Sequence, residues 1–171
     1  MFRPLYERMA YHDMPIWIHP WIERSKEGSI FTFDVEIATA MFKLVEAGVF
    51  QDYPELKVLM HHCGGILPLF DGRISWLHPE IRRKGKIIKT LDHLRKFYVD
   101  TAVSGSTSAL MCAYDFFGID KMLFASDVPL GPKPAGITLK TIRSIERMTI
   151  PDCEKEKIFE QNTIDFLKLM I

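Results

Sequence analysis

Short apolar stretches alternate with amphipathic stretches along the whole of this 171-residue sequence. Four stretches rich in β-branched, aromatic and other apolar residues predict strands, at 16–18, 56–60, 97–100 and 121–125. Between and around them, apolar residues recur at helical spacing, which predicts helices at 2–13, 34–47, 66–77, 91–96, 106–117, 137–148 and 152–169. Asp34 is expected to cap the second helix, and a break is expected in the last one near 159–163. This alternation predicts an α/β fold, with parallel strands joined by crossover helices.

Three of the predicted strands end in a residue that can bind a metal ion. His19 and His62 follow the first two strands and Asp127 follows the last, each near a proline or glycine that turns the chain. Parallel α/β folds bind ligands at the carboxyl ends of their strands, and imidazole with carboxylate is a donor set for zinc. A histidine at one strand end is more often structural, so the inference depends on equivalent placement of all three. Such a metal could activate a water, and a neutral histidine beside it could move protons.

Other polar residues near these strand ends have open interpretations. Successive side chains of a strand point to opposite faces, so we expect His61 to point toward the helices if His62 points toward the site. Asp100 ends the third strand and is expected either to border the site or to bond the backbone. Cys63 lacks the sequence signature of a cysteine nucleophile, and we expect a buried thiol. The polar connection 22–33 follows the first strand, where a long loop is often functional.

The charge and cysteine content argue against several broad classes. Because 22 basic residues balance 22 acidic ones, no overall basic field favours nucleic acid. The basic run at 82–86 is expected to be a solvated loop or helix end. No apolar stretch approaches the ~20 residues of a membrane span, and the N-terminal residues lack an apolar signal core. Three cysteines do not form a disulfide framework, which favours a reducing compartment. We therefore expect a cytoplasmic protein that binds neither nucleic acid nor membrane.

Several motifs, in order, resemble the second half of the amidohydrolase superfamily. They are Ile18-His19-Pro20, the stretch His61-His62-Cys63-Gly64-Gly65-Ile66-Leu67-Pro68 and the stretch Phe124-Ala125-Ser126-Asp127-Val128-Pro129. The similar branch is typified by 2-amino-3-carboxymuconate-6-semialdehyde decarboxylase and gamma-resorcylate decarboxylase. The resemblance implies strands five to eight of a (β/α)8 TIM barrel with one divalent metal, zinc or manganese. It also implies that His19 binds the metal, that His62 handles protons, and that Asp127 binds the metal or its water.

The sequence departs from that family in one respect. Family members carry a His-x-His pair on strand one that supplies two metal ligands, and no His-x-His occurs in these 171 residues. Its absence weakens the expected metal binding. Four predicted strands are half of an eight-stranded barrel, so we expect one partial barrel domain over 1–171. Because a half-barrel exposes strand edges and an apolar inner face, we expect a homo-oligomer or pairing with a separate N-terminal half.

Two functions of different classes follow. The first is a metal-dependent lyase or hydrolase that decarboxylates or hydrolyses a small carboxylated organic acid, with His19 and Asp127 as metal ligands and with His62 and Asp127 as catalytic residues. The second is a catalytically inactive half-barrel that serves as a structural or assembly module. A third, an α/β binding protein without a metal, is weaker because Ser104-Gly105-Ser106 lacks the Gly-Lys-Ser/Thr of a phosphate loop.

Overall fold

A computed structural model describes residues 2–21, 29–130 and 134–170. Its strands are short, with two to four residues each: β1 (Ile16–Ile18), β2 (Val58–Met60), β3 (Glu80–Arg83), β4 (Lys86–Lys89), β5 (Tyr98–Asp100) and β6 (Met122–Leu123). The helices in the same ranges are α1 (Arg3–Tyr11), α2 (Ser29–Glu46), α3 (Val49–Asp52), α4 (Asp71–Leu77), α5 (Thr90–Leu94), α6 (Thr107–Phe117), α7 (Pro134–Glu146), α8 (Asp152–Glu156) and α9 (Asn162–Leu167). None of the described helices is both long and apolar enough to cross a membrane.

The main sheet contains four parallel strands in the order β1-β2-β5-β6, which is also their order along the chain. Its register pairs Ile18 with Met60, Met60 with Val99, and Val99 with Met122. The predicted α/β fold with parallel strands and crossover helices is therefore confirmed. Parallel order also brings the carboxyl ends of all four strands to one edge of the sheet.

The two faces of the sheet are packed differently. Met60, Val99 and Met122 face the helices and belong to the main hydrophobic core, where each is fully buried. The other face carries a small cluster of Leu59 and Leu123 with Phe166 from α9. Helix α9 thus packs against part of this second face of the sheet.

Helix α2 begins earlier than the sequence predicted. It starts at Ser29, so Asp34 lies inside the helix and does not cap it. Part of the expected polar loop 22–33 is therefore helical, while residues 22–28 lie outside the described ranges. The prediction failed because the apolar residues Phe31 and Phe33 extend the helical pattern upstream of the acidic residue that was taken as its start.

The basic run at 82–86 forms a β-hairpin, not the expected loop or helix end. Strands β3 and β4 pair antiparallel around Lys84 and Gly85, which both have positive φ, at 48° and 72°. Positive φ at both central residues is typical of a two-residue hairpin turn. Arg83 is only 13% exposed, and its guanidinium donates to both carboxylate oxygens of Asp52 at 2.9 and 2.7 Å.

The free edge of β6 is covered by the C-terminal segment. The backbone N–H of Phe124 donates to the carbonyl of Ile158, and the Asn162 side chain donates to the carbonyls of Met122 and Ile119. Ile158 lies in a π-helical turn, Lys157–Gln161, which joins α8 to α9 at the break expected near 159–163. The last strand of the sheet therefore has partners on both sides.

Candidate metal centre

The structure brings together the three residues that the sequence placed at strand ends. His19 follows β1, His62 follows β2 and Asp127 follows β6, all at the carboxyl edge of the sheet. One ligand atom of each lies within 4.8 Å of the ligand atoms of the other two. Sequence separations of 43 and 65 residues thus become a single cluster because the strands are parallel.

Each histidine of the cluster is oriented by a backbone carbonyl. Nδ1 of His19 lies 2.7 Å from the carbonyl oxygen of Pro20, and Nδ1 of His62 lies 2.7 Å from that of Ala102. A carbonyl oxygen only accepts hydrogen bonds, so both Nδ1 atoms carry the proton. Both Nε2 atoms then have a free lone pair, and they face each other at 3.2 Å. Two lone pairs repel at this distance unless a metal ion or a proton lies between them.

These residues fit a divalent metal ion. Two nitrogen ligands of a tetrahedral zinc ion, each about 2.0–2.1 Å from the metal, lie about 3.3 Å apart, which is close to the 3.2 Å between the histidine Nε2 atoms. The carbonyl partners at Nδ1 are the usual way in which proteins fix the tautomer of a metal-binding histidine. His19 and Asp127 can supply one nitrogen and one oxygen ligand, which leaves coordination positions open beside His62, as catalytic sites require.

The backbone around His62 adopts the left-handed conformation that favours glycine. His62 has φ 54° and Cys63 has φ 56°, followed by Gly64 and Gly65 at 75° and 62°. Asp127 has φ 66°. Non-glycine residues in this region are uncommon, and they cluster at functional sites. Two of the three clustered residues therefore owe their side-chain direction to an unusual backbone.

His61 does not point toward the helices, as strand alternation predicted. Strand β2 ends at Met60, and His61 lies on the same face as Leu59. Its ring lies edge-on to the ring of His19, with centroids 5.0 Å apart, and its Nδ1 is 2.6 Å from Asp100 Oδ2. The positive φ of His62 then turns the side chain of His62 itself toward the same site. His61 therefore borders the cluster to which His62 belongs.

Asp100 and Cys63 lie beneath the cluster. Asp100 Oδ1 accepts the backbone N–H groups of His62 and Ala102 at 2.8 and 3.1 Å, so Asp100 both borders the site and bonds the backbone. The Cys63 thiol is 3% exposed and donates to the carbonyl of Asp100. Burial raises the pKa of this thiol well above its usual value. The expectation of a buried thiol is confirmed.

A cavity of about 770 Å³ opens over the cluster. Its apolar walls include Phe33, Leu69 and Leu130, and the clustered residues His19, His62 and Asp127 form a polar side. An apolar cavity with a few convergent polar groups is typical of a site for a small organic molecule.

Sequence reasoning missed two cavity residues. Ser104 had been considered only as part of a phosphate loop, and Asp34 only as a helix cap. Burial raises the pKa of the Asp34 carboxyl, an effect that the charge of His62 opposes. Asp34 lies inside helix α2 and belongs to no local sequence motif, so only tertiary packing reveals its place in the cavity.

Comparison with known proteins is consistent with this site. A family model described as Amidohydrolase matches residues 1–169. The 6-methylsalicylic acid decarboxylase of Penicillium expansum is 26% identical over 170 residues, which cover 92% of this chain and 51% of that protein. The 2-amino-3-carboxymuconate-6-semialdehyde decarboxylase of Dictyostelium discoideum is 27% identical over 178 residues, covering 97% and 48%.

A solved structure shares the fold of this chain. The crystal structure of a dihydroxybenzoic acid decarboxylase from Polaromonas sp. JS666, with bound manganese and the inhibitor 2-nitroresorcinol, matches with a TM-score of 0.78 at 25% identity. The match covers 97% of this chain and 53% of that one. The chain thus spans about half the length of the curated relatives it matches.

Proposed function

Because this chain belongs to the amidohydrolase family, we propose that it carries the metal-binding and proton-transfer groups of a decarboxylase for small aromatic or unsaturated carboxylic acids. The observation that carries the proposal is the 3.2 Å contact between the Nε2 atoms of His19 and His62, beside a carboxylate and under an apolar cavity. Decarboxylation is favoured over hydrolysis because the relatives compared above are decarboxylases by name.

His19 and Asp127 would hold the metal. His19 offers Nε2 with its ring fixed by Pro20, and Asp127 offers a carboxylate oxygen within 4.8 Å. A divalent ion there, manganese or zinc, would act as a Lewis acid and neutralise negative charge on the substrate. Manganese accompanies the Polaromonas enzyme, and zinc suits the nitrogen donors equally well.

His62 would move the proton. Its Nδ1–H is held by the Ala102 carbonyl, so Nε2 is the atom that can accept or release a proton toward the cavity. In decarboxylation the bond between the substrate carbon and its carboxylate breaks, the electron pair stays on that carbon, and carbon dioxide leaves. His62 Nε2 would take up a proton from solvent, and the resulting imidazolium would give that proton to the carbon to form the new C–H bond. The apolar walls at Phe33 and Leu69 exclude water from that carbon.

We further propose that the four parallel strands correspond to strands five to eight of a (β/α)8 barrel. Sequential parallel order and the coverage of about half of each relative support this placement. A second candidate, a catalytically inactive structural module, is favoured by one observation. The sequence contains no His-x-His pair to add two further metal ligands.

The test is metal binding together with release of carbon dioxide from a panel of hydroxybenzoic and muconic acids. Alanine at His19 or Asp127 is expected to abolish stoichiometric binding of manganese or zinc. His62→Gln is expected to retain the metal and lower kcat by about 10²- to 10⁴-fold. The control is His78→Ala, which alters an exposed histidine outside the cluster. A folded wild-type chain that binds no metal would overturn the proposal and favour the structural module.

A further inference from the structure

Asp100 lies directly behind the clustered residues, at the end of β5. Its side chain is almost fully buried and contacts both His61 and His62. We propose that Asp100 is the positioning residue of this site, and that it fixes the direction in which His62 presents Nε2. The kinetic part of this inference rests on the proposed function, whereas the structural part does not.

One oxygen of Asp100 controls both the backbone and the ring of His62. Oδ1 accepts the backbone N–H of His62 at 2.8 Å, where φ is 54°. The same Oδ1 accepts the backbone N–H of Ala102 at 3.1 Å, and the Ala102 carbonyl accepts the proton on His62 Nδ1 at 2.7 Å. Hydrogen bonds to a charged acceptor are stronger than neutral ones. Asp100 therefore holds both the left-handed backbone of His62 and the Ala102 carbonyl that orients the His62 ring.

The second oxygen of Asp100 faces the neighbouring histidine. Oδ2 lies 2.6 Å from His61 Nδ1, although the two atoms are not aligned as a hydrogen bond, and Oδ2 has no hydrogen bond within the described ranges. The His61 ring in turn packs edge-on against the ring of His19. One buried carboxylate thus contacts the His61 ring and the His62 backbone directly and the His19 ring only through His61, although it is not among the clustered ligand groups.

The adjacent residue provides a matched control. Thr101 is also fully buried, and its hydroxyl bonds to the backbone N–H and carbonyl of Ala125, which joins β5 to β6. Thr101 makes no hydrogen bond to the clustered residues within the described part of the chain. Thr101→Val should therefore lower stability without changing the contact between His19 and His62, and it separates a general loss of stability from a loss of positioning.

The experiment uses the full chain with Asp100→Asn, Asp100→Ala and Thr101→Val. Asparagine retains an oxygen for the two N–H groups but removes the charge, so Asp100→Asn is expected to disturb the fold less than Asp100→Ala. In metal-free protein, NMR should record a nuclear Overhauser contact between the Hε1 protons of His19 and His62. We expect both Asp100 variants to weaken or lose it and to shift the His62 amide proton upfield, whereas Thr101→Val retains both signals.

Binding of manganese or zinc is the second readout. We expect the Asp100 variants to bind the metal about 10- to 100-fold more weakly, and to lower kcat with KM unchanged if the chain decarboxylates. An unchanged Overhauser contact in folded Asp100→Asn and Asp100→Ala would overturn the positioning role, and so would an equal loss in Thr101→Val. If the wild-type chain releases no carbon dioxide, the proposed function fails, and the NMR comparison still decides the role of Asp100.

Discussion

At the scale of single residues, the site depends on backbone conformations that side chains rarely adopt. His62, Cys63 and Asp127 all have positive φ. Gly64 and Gly65 follow Cys63 directly, so positive φ values run over four consecutive residues from His62 to Gly65. The strand therefore ends abruptly, and the His62 ring turns back over the end of the sheet.

Gly65 is the position in this turn where a side chain is least tolerated. It has φ 62° and ψ −133°, and a Cβ atom there would lie 2.3 Å from the carbonyl oxygen of Asp34. We expect Gly65→Ala to lower the free energy of unfolding by about 2–4 kcal/mol, because it adds a backbone clash to an unfavourable conformation. Urea denaturation measures the change.

Gly72 is the matched control for that substitution. A Cβ atom at Gly72 meets nothing within 4 Å, and the residue lies in helix α4. Alanine is favoured over glycine in helices, so Gly72→Ala should raise the free energy of unfolding by about 0.5–1 kcal/mol. Equal effects of the two substitutions would contradict the close approach of Gly65 to Asp34.

Residue types at strand ends were enough to predict the cluster but not its details. His19, His62 and Asp127 meet because parallel strands share an edge, which the alternation of the sequence already indicated. The direction of His61 was wrong because it was inferred from that of His62. His61 is still extended, whereas the positive φ of His62 breaks the alternation between the two residues. The contacts of Asp100 depend on a turn whose φ values the sequence does not specify.

At the scale of elements, the sheet consists of strands of two or three residues whose edges need partners. The edge of β6 is satisfied by a side chain. Asn162 is 6% exposed, and its Nδ2 donates to the carbonyls of Met122 and Ile119 at 2.7 and 2.8 Å. Asn162→Ala leaves two carbonyls without this donor, and we expect a loss of about 2–4 kcal/mol in urea denaturation.

The neighbouring Gln161 is the control for the role of Asn162. Gln161 is exposed and bonds only to Asp165, at 2.8 Å, among the contacts of the described residues. Gln161→Ala should therefore change the free energy of unfolding by no more than about 0.5 kcal/mol. A similarly small effect of Asn162→Ala would show that the edge of β6 does not depend on this side chain.

The hairpin of β3 and β4 is attached to α3 by Asp52. Hydrogen bonds from Arg83 and then Arg3 hold the pKa of the Asp52 carboxyl well below its usual value. Because the folded pKa is lower than the unfolded value of about 3.9, the ion pairs stabilise the fold above that pH. The stabilisation is lost as the pH falls through the lower, folded pKa.

We expect Asp52→Asn to lower the free energy of unfolding at pH 7 by about 1–2 kcal/mol. The difference from the wild type should shrink as the pH is lowered below about 4, where the unfolded carboxyl becomes protonated. Urea denaturation at pH 7 and pH 3 measures both. Asp120→Asn, at an exposed ion pair with Lys157, is the control, and a pH-independent difference for Asp52→Asn would contradict the ionic origin.

Helices were easier to predict from the sequence than the hairpin. Helix α6 runs from Thr107 to Phe117, where apolar spacing predicted a helix over 106–117, and Ser106 caps it by accepting the N–H of Ala109. The hairpin was missed because its strands have four residues each and carry several charges, so period-two alternation is short. Its tertiary contacts include the pair of Arg83 with Asp52 and the burial of Ile88 in the core, which no local pattern contains.

At the scale of the whole molecule, the two edges of the sheet differ. The edge of β6 is covered by the π-helical turn and Asn162, whereas β1 pairs only with β2. Ile16 and Ile18 make the backbone bonds to the β2 side, so the backbone groups of Trp17 face outward. Its side chain is 47% exposed although it contacts Phe166. Within the described ranges, β1 is therefore the edge at which another strand can add.

We expect this chain to associate through β1 with a second copy of itself. Alone in solution, the wild type should sediment as a dimer or larger species. Trp17→Lys should shift it to monomer, because a lysine on an edge strand opposes strand addition. Trp76→Lys, at a tryptophan that is 84% exposed on α4, should leave the sedimentation unchanged. A stable, monodisperse wild-type monomer would contradict the prediction. Circular dichroism must show that Trp17→Lys is folded, since the substitution also removes the contact of Trp17 with Phe166.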